Sequence, residues 1–416
     1  MKSQVFMPAT ILLPKVENMT KWSVVACDQF TSQPEYWESV EKYVGNEKSA
    51  YHLILPEANL GTEKEAEHLQ KIHGTMEEYL AQDVFAEYEN AYIYIERTMQ
   101  NGSIRRGLLG MVDLEAYEYT PGNEAPIRAT EKTVAERIPP RMKVRAEALI
   151  ELPHVLLLCD DGDNLLLEPL TERKQTLPKL YDFDLMQNGG HITGYLVQGS
   201  EVEDFAKRLA QFEENLPEKY VGLSNKPMTF AVGDGNHSLA TAKACYEAMK
   251  KANPALDLSN HPARYALVEL ENIYDDSQIF EPIHRIVTGV NSQELLDALQ
   301  RGYEGTEGFP IEWVVGNETG KIMLDKNKGE LAVGILQKFL DDYLESHPGE
   351  IDYIHGEDEL NQLAAQPNAI GFLLPAMEKY QLFRGVISDG VLPRKTFSMG
   401  HAVEKRYYLE ARKIRA

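Results

Sequence analysis

The sequence predicts a mixed α/β fold of the α+β kind, and three observations carry that prediction. Short apolar runs rich in β-branched and aromatic residues alternate with amphipathic helical stripes along the whole chain, without segregating into blocks. The 416 residues are 43% hydrophobic and 26% charged, the composition of an ordinary globular protein. No fixed-period repeat, low-complexity tract or heptad run breaks the pattern, which excludes solenoids and long coiled coils.

Strands are predicted at residues 22–27, 51–55, 91–95, 108–114, 154–159, 228–232, 265–270, 311–315 and 369–374, where β-branched and aromatic residues cluster. Helices are predicted between them. Residues 63–80 place Ala66, Leu69, Ile72, Met76 and Leu80 on one stripe, residues 202–212 do so with Phe205 and Leu209, and residues 331–344 with Ile335, Phe339 and Tyr343. These stripes read as core faces. Polar stretches with Pro or Gly at 120–126, 217–227, 302–310 and 347–349 read as loops or boundaries. At ~150 residues per domain the length accommodates two or three domains. The expected division is an N-terminal α/β domain at 1–125, a core at 126–300 and a C-terminal α/β segment at 301–416 that packs on the core.

Three cysteines, Cys27, Cys159 and Cys245, with no CxxC spacing, point to a reducing compartment and away from a structural zinc site. Cys27 reads as a buried, inert thiol. The first residues carry no cleavable export signature, and no apolar run approaches the ~20 residues of a membrane helix, so a cytoplasmic protein without membrane contact is expected. The sequence leaves the oligomeric state open.

A net charge of −23 argues against a nucleic-acid polymer as partner, because a phosphate backbone would meet repulsion. The charge is uneven. Residues 128–145 carry Arg128, Lys132, Arg137, Arg141, Lys143 and Arg145 against Glu131 and Glu136, and residues 394–415 are similarly basic with Arg394, Lys395 and Lys405 among them. Pro139 and Pro140 fit the first turn of a helix, on which Arg141 and Arg145 share a face. Guanidinium clusters of this kind clamp the phosphates of a small anion or nucleotide, although the same arginines would also serve as surface ion pairs.

The most informative segment runs from Met228 through Gly233-Asp-Gly-Asn-His-Ser238 into an alanine-rich stretch. It reads as a strand, a glycine turn and a helix capped by Asp234 or Asn236, an arrangement whose unpaired N–H groups attract anions. Asp234 and His237 are placed to act as base and acid in a proton transfer. Lys243, two turns on, is expected to face solvent. The phosphate-cradling GxxxxGK[ST] motif and the GxSxG nucleophile elbow are both absent here. The dinucleotide pattern GxGxxG matches only as far as Ser238. His191, His237, His284 and His401 lack HxH or HExxH spacing, so no metal site is expected. His284 and Arg285 lie in an apolar context that suits a hydrogen-bonded core histidine, while remaining candidates for anion contact.

Several segments together resemble the family known as domain of unknown function 1015. They are Trp22-Ser-Val-Val-Ala-Cys-Asp-Gln, Arg128-Ala-Thr-Glu-Lys-Thr-Val-Ala-Glu-Arg-Ile-Pro-Pro-Arg, Glu151-Leu-Pro-His, the Gly233 turn, Pro282-Ile-His-Arg and Leu392-Pro-Arg-Lys. A more distant resemblance joins the turn to the Asp-Gly-x-His-Arg box of the ParB/sulfiredoxin superfamily, whose members hold nucleotide phosphates with it. Asp234, Gly235 and His237 match that box, whereas Asn236 replaces its usual His and Ser238 its Arg. The resemblance implies a ParB/sulfiredoxin-like nucleotide-binding core with an additional α/β domain. It also implies that Arg141, Arg145, Arg285 or Arg394 takes the place of the missing arginine.

The leading expectation is therefore a nucleotide-dependent phosphotransferase, kinase-like, acting on a small hydroxylated metabolite. Gly233, Gly235, Asn236, Ser238, Arg128, Arg137, Arg141, Arg145, His284, Arg285, Arg394 and Lys395 would hold phosphate. Asp234, His237 and Glu131 would move protons, and Mg²⁺ would accompany the nucleotide. A non-catalytic regulator that binds a nucleotide or phosphometabolite is the alternative, and a nicotinamide-dependent oxidoreductase the second.

Overall fold

The computed structural model describes residues 5–62, 65–133, 135–223, 225–393 and 395–415. Strands and helices interleave along the chain as a mixed α/β fold. Among the described residues one sheet holds eleven strands and a second holds six.

The large sheet is built around Phe85–Thr98, Ile104–Asp113 and Tyr265–Asn272, which pair antiparallel in that order. Leu156–Cys159 joins Tyr265–Asn272 in parallel, Phe230–Asp234 joins it antiparallel, and Ile127–Ala129 joins Phe230–Asp234 in parallel. Both faces of this sheet are covered. Tyr92 and Tyr94 point into a core shared with the helix Ser200–Lys219, while Ile93 and Ile95 point into a second core containing Trp22, Trp37 and Met76. Period-two alternation with two buried faces explains why the strand reads as one unbroken apolar run.

The smaller sheet centres on Phe280–Thr288, paired antiparallel with both Glu350–His355 and Ala369–Leu373. The far end of Phe280–Thr288 takes Phe397–Met399 as a further partner. The C-terminal segment then returns to the first body, where Tyr407–Tyr408 pairs with Val24–Val25 and Arg412–Lys413 with Ile150–Glu151. Hydrogen bonding thus crosses residue 126 within the large sheet and residue 300 within the smaller one.

Four local expectations are corrected. Residues 51–55 form no strand: Ser49 Oγ accepts the Tyr51 N–H at 3.1 Å and caps a short 3-10 turn, Ala50–Leu53. Within 22–27 the strand is confined to Val24–Val25, because Trp22 is the last residue of the helix Met19–Trp22 and the chain turns again at Cys27. Pro217 lies inside the helix Ser200–Lys219, near its end where few backbone bonds are lost, so the predicted loop starts later. Lys243 is turned inward, with Nζ donating to the carbonyls of Leu114 at 3.0 Å and Tyr117 at 2.6 Å. No helix among the described residues is long and apolar enough to cross a membrane.

Candidate functional site

The strand Phe230–Asp234 ends in a register irregularity between Val232 and Asp234 and passes directly into the helix Asn236–Ala252. The hinge is Gly235, at φ +78°, a left-handed conformation that disfavours side chains. A Cβ there would also stand 3.0 Å from Val155 Cα and 3.3 Å from His154 Cδ2, so space as well as backbone angle demands glycine. Gly235 itself occupies the cap position, where no side-chain cap bond forms, which corrects the expected Asp234 or Asn236 cap. Asp234 Oδ1 instead accepts the Gly235 N–H at 2.9 Å.

The residues from Gly233 to Ser238 form one wall of a cavity of about 190 Å³. Asp28, Glu131 and His154 face it from the large sheet's side, and Ile283, His355 and Phe397 close it from the smaller sheet. Both basic segments contribute. Lys132 and Arg141 come from the first, Lys395 and Lys405 from the second. The segment ahead of Lys395 is tied in place where the Leu392 N–H donates to the Thr130 carbonyl at 2.7 Å, beside Glu131.

Two of the cavity's cations are paired with carboxylates. Lys405 Nζ lies 3.2 Å from Asp234 Oδ2, and Arg141 pairs with Glu57 while donating to the Arg137 carbonyl at 2.7 Å. Burial pushes the Asp28 carboxyl up, but His154, the Gln29 amide and Lys405 outweigh it and hold the group below the usual aspartate range. For Glu131 burial dominates over the opposing Lys395 and Lys405, and the carboxyl sits above its ordinary range. Burial and then the charges of Arg141 and Arg137 push the His237 imidazole down to about 4. At neutral pH His237 is therefore uncharged and carries no imidazolium proton to give, which disfavours the acid role expected for it, while its lowered basicity makes it a weak base as well.

His154 links the cavity to a buried chain. Its Nδ1 lies 2.6 Å from the Tyr408 hydroxyl, which in turn reaches Cys27 Sγ at 3.1 Å. Burial and then the Asp28 charge push the Cys27 thiol up to about 12, in keeping with an inert cysteine. Among the described residues no group of three or more His, Cys, Asp or Glu side chains is disposed to hold a metal ion.

Of the residues singled out from sequence, Gly233, Asp234, Gly235, Asn236, His237, Ser238, Glu131, Arg141 and Lys395 meet in this cavity. Others lie elsewhere. Arg128 is buried, donating to the carbonyls of Ala125 at 2.9 Å and Lys226 at 2.6 Å. Arg285 is buried in the smaller sheet, donating to Gln337 Oε1 at 2.8 Å and the Ile283 carbonyl at 2.7 Å. His284 is a core histidine whose Nδ1 accepts the Leu374 N–H at 3.1 Å. Arg145 pairs with Glu151 at 2.7 Å on the wall of a neighbouring chamber, and Arg137 is exposed at the entrance to its helix. Arg394 falls outside the described residues. Sequence reasoning missed Asp28, His154 and His355 as cavity residues, and placed Lys132 and Lys405 only within the two basic segments. The short polar interruptions Cys27-Asp-Gln and Leu152-Pro-His154 at strand ends were the available signal for the first two.

Comparison with solved structures finds distant likeness. A free serine kinase in complex with AMP aligns over 73% of this chain and 90% of its own, at 12% identity and TM-score 0.35. A conserved hypothetical protein from Pyrococcus furiosus covers 73% of this chain and 94% of its own, at 10% identity and TM-score 0.33. SbnI from Staphylococcus aureus, truncated at its C-terminus, covers 70% of this chain and 83% of its own, at 12% identity and TM-score 0.33. Curated protein sequences yield no match. One family matches over residues 8–401, nearly the whole chain, and the protein accordingly belongs to the family described as Protein of unknown function (DUF1015).

Proposed function

We propose that this protein is a nucleotide-dependent phosphotransferase acting on a small hydroxylated metabolite. The observation that carries the reading is the convergence of Lys132, Arg141, Lys395 and Lys405 on the cavity formed by the Gly233–Ser238 turn. Two basic segments far apart in sequence supply cations to one concave site on an otherwise acidic chain, which suits a compact polyanion better than an extended one.

In this reading the helix start after Gly235 offers backbone N–H groups to phosphate oxygens, and Lys405 and Arg141 balance the charge. Asp234 holds Lys405 in place, with both carboxylate oxygens already engaged. Glu131, made more basic by burial, is then the group that takes the acceptor's hydroxyl proton. A divalent cation such as Mg²⁺ would enter with the nucleotide, with Asp28 presenting the hard oxygen donor it prefers. Its contribution would be to neutralise phosphate charge.

Thermal-shift measurements with ATP, ADP, CTP and GTP, each with Mg²⁺, test the proposal. Stabilisation by at least one nucleotide is expected, with phosphate transfer in a screen of hydroxylated metabolites. A melting temperature unmoved by all four would overturn it.

A further inference from the structure

A second chamber of about 140 Å³ lies against the first, and the two share Glu57, Arg141, His154 and Ser238 as their common wall. Its chemistry is different. Leu53, Leu55, Met76, Ala148 and Ile150, all buried, make most of its surface. The charged groups at its edge are already matched: Glu57 pairs with Arg141, and Glu151 with Arg145 and Arg412. The Thr241 hydroxyl donates to the His237 carbonyl at 2.7 Å, and the Tyr408 hydroxyl is held between His154 and Cys27. Little hydrogen-bonding capacity is left to greet a polar guest.

We infer that this chamber binds the apolar group of the phosphoryl acceptor, and that the acceptor is a small alcohol bearing one aromatic ring or a branched aliphatic group of similar size. The inference rests on the phosphotransferase reading for the word acceptor, but the binding site itself does not. Volume sets the size: an apolar protein cavity of ~150 Å³ accommodates benzene. Neutralised walls set the polarity, because a charged or strongly hydrogen-bonding group would be desolvated there without a partner. The shared wall sets the orientation. A hydroxyl on such a guest would emerge beside His154 and Ser238, at the boundary with the polar cavity that holds Glu131.

Ligand-observed NMR with benzyl alcohol on the full chain, without nucleotide, tests the inference. Saturable binding to wild type is expected, weakened at least tenfold in Ala148→Phe, which fills the chamber. Leu60→Trp, at a half-buried position on the same lining, is the second variant should Ala148→Phe fail to fold, and the same weakening is expected. ATP-induced thermal shifts in either variant should match wild type. Absence of benzyl alcohol binding, or equal binding by both variants, overturns the inference even where ATP binds. Displacement of benzyl alcohol by adenosine also overturns it, by assigning the chamber to the nucleobase. Benzyl alcohol binding that responds to the variants in a protein that binds no nucleotide upholds the chamber and sinks the phosphotransferase reading instead.

Discussion

Lys405 Nζ stands 3.2 Å from Asp234 Oδ2, so the returning C-terminal segment delivers a cation to the turn between the strand Phe230–Asp234 and its helix. Both side chains are largely but not wholly buried, and pairs of that kind contribute modestly to stability. Asp234→Asn is expected to keep the fold, with unfolding free energy changed by no more than about 1 kcal/mol. Urea denaturation followed by circular dichroism measures this, and a much larger loss would make Asp234 a structural residue.

Glu131→Gln separates binding from chemistry. An amide preserves shape but accepts no proton, so turnover should fall by about 10²–10⁴-fold, the usual contribution of a general base, while the nucleotide-induced thermal shift persists. Undiminished turnover would move the base to another carboxylate of the cavity wall, where Asp28, Glu57 and Asp234 also stand.

Gly235→Ala combines a strained φ of +78° with a 3.0 Å approach to the Val155 backbone. A destabilisation of about 1–3 kcal/mol is expected. Chemical denaturation reads the cost, and wild-type stability in this variant would contradict the steric account of the turn.

The depressed His237 pKa makes stability pH-dependent with a defined sign. The imidazole titrates near its ordinary 6.5 in the unfolded chain and at about 4 in the folded one. Between those values the unfolded state binds more protons, so its contribution is full above pH 6.5 and is lost as pH falls toward 4. Urea midpoints measured from pH 7 to 4 should decline less steeply in His237→Gln than in wild type, and identical slopes would refute the assignment.

Arg285→Ala should behave oppositely to a ligand-contact mutation. Arg285 is fully buried and donates to Gln337 and to the Ile283 carbonyl, so truncation strands those acceptors and is expected to cost about 3 kcal/mol or more. Nucleotide affinity in the folded fraction should stay at the wild-type value. A selective loss of affinity would return Arg285 to the site.

The alternating strands and the Gly233–Ser238 turn were legible because their signals are local: period two, period 3.6 and a glycine hinge. Residues 51–55 misled because four apolar residues interrupted only by His52 suit a strand or a capped turn equally, and the Ser49 hydroxyl decides between them. Within the first basic segment Arg128, Arg141 and Arg145 were indistinguishable as residue types. Sheet pairing buries Arg128 beneath Ala125, whereas the helix Ile138–Ala146 turns Arg141 toward the cavity. Lys405 was invisible as a partner of Asp234, because only the return of the C-terminal segment to Val24–Val25 brings it there. Long-range topology, which leaves no periodic trace, decides which cations meet.

The most direct test of the central claim is calorimetric titration of nucleoside triphosphate with Mg²⁺ into wild type and Lys405→Met. The account predicts saturable binding to wild type and an affinity at least about tenfold lower in Lys405→Met, equivalent to about 1.4 kcal/mol. Equal affinity in the two proteins, or no binding of any nucleotide to wild type, would contradict it.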